Sequence, residues 1–248
     1  MIRLTQVNKQ FSERFSLTDI NCQFSAAKTT VMIGQSGSGK STILKLILGL
    51  QKVDSGEILF NDQTLTNQNL QMIRQQCGYV IQNGGLFPHL NAFQNIALAA
   101  QFHNWSLARI GSRITELANL CKMDPTLLKQ YPHQLSGGQK QRVSIMRALM
   151  LDPQVVLMDE PLSALDPLIR YQLQTDLKQI FLSLRKTVIL VTHDIHEAQF
   201  FTDQLIFVHE GKILQQGEFT SIIKKPADPF ITEFISAQRH SSLDEATT

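Results

Sequence analysis

Gly34-Gln35-Ser36-Gly37-Ser38-Gly39-Lys40-Ser41-Thr42 is a glycine-rich run closed by a lysine and two hydroxyl residues. It has the form G-x-x-x-x-G-K followed by Ser or Thr. Glycines at these places let backbone N–H groups turn inward around an anion, and a helix opening there adds the positive end of its dipole. Lys40 supplies a mobile cation for β- and γ-phosphates, and the Ser41 hydroxyl is a ligand for Mg²⁺. A second reactive pair, Asp159-Glu160, follows the apolar run Val155-Val156-Leu157-Met158. One carboxylate there suits a Mg²⁺ shell, and its neighbour, pointing elsewhere, suits a general base that polarises water. An acidic pair can equally open a loop or cap a helix, so this reading leans on the phosphate loop beside it. The third stretch is Leu135-Ser136-Gly137-Gly138-Gln139-Lys140-Gln141-Arg142. Ser136 is a good N-cap, and the glycines leave N–H groups open to an anion at the helix start.

Each stretch needs an element to hold it. Thr30-Val31-Met32-Ile33 reads as a buried strand before the loop, and Ile43 to Gly49 as the helix after it. The chain opens with β-structure at Ile2 to Val7 and Phe15 to Phe24, with Phe11 expected in a turn between them. Strands follow at Gly56 to Phe60 and Cys77 to Ile81, with Gln82 at the end of the latter. From Pro88 to about Met150 the pattern is helical, an insertion at about 88–150 in an otherwise α/β chain. Buried-strand runs at 155–158 and 187–191 flank a helix whose apolar residues recur at steps of three and four from Ile169 to Leu184. A hairpin about Glu210-Gly211, two short helices and a polar tail at 241–248 complete the chain. Strands alternating with helices predict a mainly parallel sheet, with chemistry gathered beyond the strands' carboxyl ends.

Composition sets the outer bounds. Hydrophobic residues make up 43% of the chain, enough for an ample core, and no segment is long and apolar enough to span a membrane. A net charge of +2 with no basic block interleaved with aromatics argues against nucleic acid. The N-terminus lacks the apolar region of a signal peptide, which predicts a cytoplasmic protein. Cys22, Cys77 and Cys121 have no metal-like spacing and read as reduced packing thiols.

Leu135 to Arg142 resembles the signature of ATP-binding cassette (ABC) ATPases, and the other elements of that family follow in order. Gln82 resembles the glutamine of the loop leading into the helical subdomain. Ser163-Ala164-Leu165-Asp166 resembles the loop after the acidic pair, and His193, in Thr192-His193-Asp194, the switch histidine that reaches the γ-phosphate. Phe11 is the best match for the aromatic that stacks on adenine, with Phe15 the alternative and a core role open for either. His196 and His209 match nothing and read as surface or packing residues. Ala27-Lys28 stands where family members carry Gly-Glu, which questions the local turn.

The resemblance covers about residues 1–235. It implies a P-loop NTPase (RecA-like) core with an N-terminal antiparallel β-subdomain and a helical insertion, forming one domain over 1–240. It also implies ATP and Mg²⁺ as cofactors, with Ser41, Gln82 and Asp159 around the metal, and Glu160, His193 and Gln82 serving hydrolysis. Nucleotide contacts would come from residues 34–42, from Leu135, Ser136, Gly137, Gly138 and Gln139 of a second copy, and from Asp166. The implied partners are a second ATP-binding subunit, an integral membrane permease and, indirectly, an extracytoplasmic solute-binding protein. The chain would then sit peripherally on the cytoplasmic face of the inner membrane.

Only about 100 residues separate Gly34 from Leu135, which leaves no room for the coiled coils of chromosome-maintenance members. Tyr79 to Leu90 and Pro226 to Ile235 resemble the quaternary-amine osmoprotectant importers. The alternatives are a polar amino acid importer ATPase and a soluble ATPase of the iron–sulfur assembly type. In an importer, the apolar tip Leu86-Phe87-Pro88 is expected to receive a permease helix, unless Phe87 merely pins the insertion to the core.

Overall fold

The computed structural model describes residues 1–12, 15–82 and 84–244, and the chain forms two compact units. Residues 13–14, Asn83 and residues 245–248 lie outside the described residues. The first unit joins Met1–Leu70 to Ile189–Thr248. In it, β1 (Ile2–Ser12), β2 (Phe15–Phe24), β4 (Ser55–Phe60) and β5 (Gln63–Thr64) form an antiparallel sheet in the order β2-β1-β4-β5. Alternation explains it: Ile2, Leu4, Val7, Leu17, Ile20, Cys22 and Phe24 are buried, and their neighbours along the strands are mostly not.

Phe11 corrects the expected turn. It lies within β1, where Gln10 pairs with Ser16, and shifts in register after Leu4, Val7 and Gln10 carry the strand through the polar Asn8-Lys9-Gln10 stretch. Asp54 supports that stretch, accepting from Lys9 Nζ at 2.6 Å and from Gln10 N at 2.7 Å.

Between β2 and β3 (Thr29–Ile33), Ala27 adopts a left-handed φ of 54°. This is the place where the family resemblance expected glycine, and the fold keeps the turn despite the Cβ. A left-handed alanine costs about 1–2 kcal/mol, part of which a glycine returns as backbone entropy. Ala27→Gly is therefore expected to raise the thermal midpoint by about 2–4 °C, a gain of about 1 kcal/mol.

The second sheet of this unit is built on β3, all of whose residues are buried. It pairs in parallel with β9 (Gln204–His209), and β9 pairs antiparallel with β10 (Lys212–Gly217). β8 (Thr187–Thr192), which belongs to this unit from Ile189 onward, lies on the other side of β3. Helices α1 (Lys40–Ile47), α7 (Ile195–Phe201), α8 (Phe219–Lys224) and α9 (Pro229–Asp244) accompany the sheet. α9 continues through 241–244, which were expected in the polar tail. It is seated by an aromatic cluster: Phe234 meets Phe207 of β9 edge-on at 5.1 Å, and Phe230 stacks on His209 at 3.6 Å.

The second unit, Gln71–Val188, holds most of α2 (Leu70–Gln75), then β6 (Cys77–Val80), α3 (Ala92–Phe102), α4 (Leu107–Leu120), α5 (Gly137–Leu149), β7 (Val155–Asp159) and α6 (Pro167–Leu184). β6 and β7 are parallel, with Cys77 opposite Val155 and Val80 opposite Met158. The helix starts were written in the sequence. Asn91 and Ser136 each form a reciprocal capping box with a glutamine three residues on, and Ser106 caps α4. Burial pushes the thiols of Cys22, Cys77 and Cys121 up to about 12, so all three are unreactive at neutral pH. Among the described residues, no helix is long and apolar enough to cross a membrane.

Candidate nucleotide site

In the first unit β3 ends at Ile33 and the glycine-rich loop turns directly into α1, whose N-cap is Gly39. Gly34 must be glycine: a Cβ there would lie 1.9 Å from the Val208 carbonyl of β9. That close approach presses the loop against the sheet, and within the loop Ser38 N donates to the Gln35 carbonyl at 3.2 Å. Lys40 is 4% exposed, and its ammonium donates to the Gly34 and Gln35 carbonyls, both at 2.8 Å. The cation is thus folded into the loop that an incoming phosphate would occupy. Gly211 N donates to the Ser38 carbonyl at 3.0 Å, so the β9–β10 hairpin braces the loop from outside.

A recess of about 410 Å³ opens at this loop, lined by Gln35 to Ser38 together with Phe15, Ser16, His209 and Glu210. Its aromatic wall comes from Phe15. Phe11 is not among the lining residues, although its ring lies 5.9 Å from that of Phe15. His209 lines the recess as well as packing on Phe230, a placement no motif announced.

His193 sits exposed on the loop between β8 and α7. The loop is held at both ends. Thr192 Oγ1 donates to buried Glu197 at 2.6 Å, and Asp194 caps α7 by accepting from His196 N and Glu197 N. His196 is exposed.

In the second unit, β6 and β7 bring Gln82, Asp159 and Glu160 to adjacent strand ends. Gln82 Nε2 donates to Glu160 Oε2 at 3.3 Å. Asp159 is 4% exposed and accepts from Tyr79 Oη at 3.3 Å. Burial first, and the Asp159 carboxylate second, push the Tyr79 hydroxyl far above its ordinary range, so it remains a donor. Glu160 has a left-handed φ of 45°. The two consecutive carboxylates meet different partners, Asp159 with Tyr79 and Glu160 with Gln82.

The signature stretch is placed by its caps and by close packing. Ser136 Oγ accepts from Gln139 N, and Gln139 Oε1 accepts from Ser136 N, leaving both residues at the exposed start of α5. Leu135 is buried beneath them. A Cβ on Gly138 would lie 2.6 Å from Ile169 Cγ2, so glycine lets α5 approach α6. Asp166 caps α6 by accepting from Ile169 N.

The side chains that support these elements are distant in sequence. Arg142 Nη2 and Lys122 Nζ donate to the two oxygens of buried Asp176 at 2.7 and 2.6 Å, and Arg142 Nη1 donates to the Cys121 carbonyl. The loop after Gln82 hangs from α5: Arg147 donates to the Gly84 and Gly85 carbonyls at 2.8 Å, and Ser144 Oγ to Gly84 at 2.9 Å. Asn95, fully buried, accepts from Phe87 N and donates to the Phe87 and Leu90 carbonyls. The Phe87 turn is therefore pinned by Asn95, while Phe87 as a residue is 44% exposed.

Comparison with known proteins gives the same reading. The pattern described as ABC transporter matches residues 17–163. YehX of Escherichia coli, a glycine betaine uptake system ATP-binding protein, is 45% identical over 94% of this chain and 76% of its own length. OpuCA of Bacillus subtilis, a glycine betaine/carnitine/choline transport ATP-binding protein, is 38% identical over 96% of this chain. The match spans 63% of OpuCA's length, so that relative extends well beyond it. Among solved structures, the dimeric ATP-binding cassette MJ0796 bound to ADP and Pi superposes with a TM-score of 0.79 at 32% identity, covering 88% of this chain and 99% of that one. The chain belongs to the ABC transporter family.

Proposed function

We propose that this chain is the ATP-hydrolysing subunit of an importer that takes up a quaternary-amine osmoprotectant, such as glycine betaine or choline, through a separate membrane permease. Its cassette would cover residues 1–240, with the helical insertion at about 88–150, and would sit on the cytoplasmic face of the inner membrane. The similarity to betaine and choline uptake subunits supports the substrate class. Lys40, buried in a loop whose glycine cannot be replaced, carries the ATP reading.

Two copies would pair head to tail, the Ser136-Gly137-Gly138 end of one α5 covering the phosphate loop of the other. Mg²⁺ would neutralise phosphate charge when bound. Ser41, Asp159 and Gln82 would each supply an oxygen donor of the kind a hard cation takes, and Asp159 is ordered by Tyr79. Lys40 would leave the Gly34 and Gln35 carbonyls for the β- and γ-phosphates. Glu160 would take a proton from water as its oxygen attacks the γ-phosphorus, and ADP would leave. Gln82, hydrogen-bonded to Glu160, would hold that carboxylate in place until water and nucleotide arrive. His193 would donate a hydrogen bond to the terminal phosphate. The permease helix would meet the exposed Phe87 tip and the groove of about 550 Å³ lined by Tyr79, Ala99, Phe102 and His103, where Phe102 is 75% exposed.

Lys40→Ala removes a charge-assisted contact that contributes about 1.5–3 kcal/mol. Thermal stabilisation by Mg-ATP should shrink sharply in this variant, and equal stabilisation of both proteins would reject the site. Vesicles holding the co-purified permease and this subunit should accumulate labelled glycine betaine or choline when ATP is supplied. Uptake of a polar amino acid instead would replace the substrate class.

A further inference from the structure

The C-terminal helix reaches the switch loop. Ile231, Phe234 and Ile235 bury the first half of α9, and Phe230 and Phe234 lock it to β9 through His209 and Phe207. Gln238 comes one turn after Phe234 on that anchored rod. Its side-chain amide meets the backbone on both sides of Asp194: Nε2 donates to the His193 carbonyl at 2.5 Å, and Oε1 accepts from Ile195 N at 2.7 Å. The two contacts also fix which way the amide faces, because a carbonyl needs its NH₂ and an N–H needs its oxygen. No other residue type of this length offers both a donor and an acceptor.

We infer that Gln238 is a positioning residue for hydrolysis, holding the His193 backbone so that the imidazole projects toward the terminal phosphate. The inference rests on the reading of His193 as the residue facing that phosphate. Thr192 and Asp194 fix the loop at the end of β8 and the start of α7. Gln238 adds a bond to the His193 carbonyl itself, from an element 45 residues away. Losing it frees the His193 peptide to rotate while the phosphate loop, on β3 and α1, stays as it was.

The test is steady-state ATP hydrolysis by the full-length protein and four variants: Gln238→Ala, Gln238→Glu, His193→Ala and the Gln238→Ala/His193→Ala double. Misplacing a catalytic group by about an ångström costs on the order of 100-fold. We expect kcat to fall by about 10- to 100-fold in Gln238→Ala, with KM for ATP changed less than about twofold. Gln238→Glu keeps the acceptor for Ile195 N and loses the donor to His193, so it should lose kcat equally. In the His193→Ala background, Gln238→Ala should add nothing. Wild-type kcat in Gln238→Ala or Gln238→Glu overturns the inference. So does a further loss in the double variant, which would mark a general structural role. Normal turnover by His193→Ala would remove the reading of His193 itself, and the inference with it.

Discussion

Glu160→Gln is expected to abolish steady ATP turnover while leaving ATP binding intact. The amide keeps the size of the carboxylate and can still meet Gln82, but it cannot accept a proton from water. Losing a general base costs about 100- to 10,000-fold in rate. With hydrolysis blocked, the ATP-bound form should persist as a dimer visible by size-exclusion chromatography. Turnover near the wild-type level would transfer the base role, with His193 the first candidate. The backbone supplies an independent check. Glu160 holds φ at 45°, and a non-glycine residue pays on the order of 1–3 kcal/mol to stay in a sparsely populated region. Glu160→Gln retains that strain, whereas Glu160→Gly relieves it. The glycine variant should therefore be inactive yet melt higher than Glu160→Gln. This outcome would show stability given up for the placement of a carboxylate.

Removing Asp176 should have the largest effect on folding. Arg142 and Lys122 both depend on it, and Arg142, with only 15% of its side chain exposed, cannot readily turn to water. Breaking such a buried pair from one side costs about 3–5 kcal/mol, and that loss is expected for Asp176→Ala in urea or thermal unfolding. Lys122, 59% exposed, can rehydrate and should soften the loss toward the lower figure. Burial opposes ionisation of Asp176, but the hydrogen bonds and charges of Lys122 and Arg142 outweigh it and hold the carboxyl below its ordinary range. A folded-state pKa below the unfolded one stabilises above the unfolded value, and the effect fades as pH falls through the folded value. The gap between wild type and Asp176→Ala should therefore be full at neutral pH and close on acidification below about pH 4. A gap that is constant with pH would mean packing, not charge, dominates at this residue.

Local chemistry was legible in the sequence wherever a few consecutive residues determine it. The phosphate loop announces its own glycines, and Ser136, read as an N-cap, marked the start of α5. Phe11 was misplaced because Asn8-Lys9-Gln10 has the composition of a turn. Pairing with β2 and the hydrogen bonds to Asp54, which lies 44 residues beyond Gln10, override that local preference. Distance in sequence hid the supporting contacts too. Nothing near Arg142 points to Asp176, and nothing near His193 points to Gln238. The φ of Glu160 is likewise set by the strand end and loop around it, not by residue type.

The suspension of residues 84 and 85 from α5 has a mechanical consequence. This segment has little stiffness of its own: it is short, rich in glycine and lies between a strand and a helix. Arg147 and Ser144 lend it the rigidity of a helix that resists compression along its axis. From Ser136 to Arg147 that helix runs about 16 Å at 1.5 Å per residue. A load applied at the Phe87 tip would meet these bonds before it could bend the loop, and would pass to α5 as to a strut.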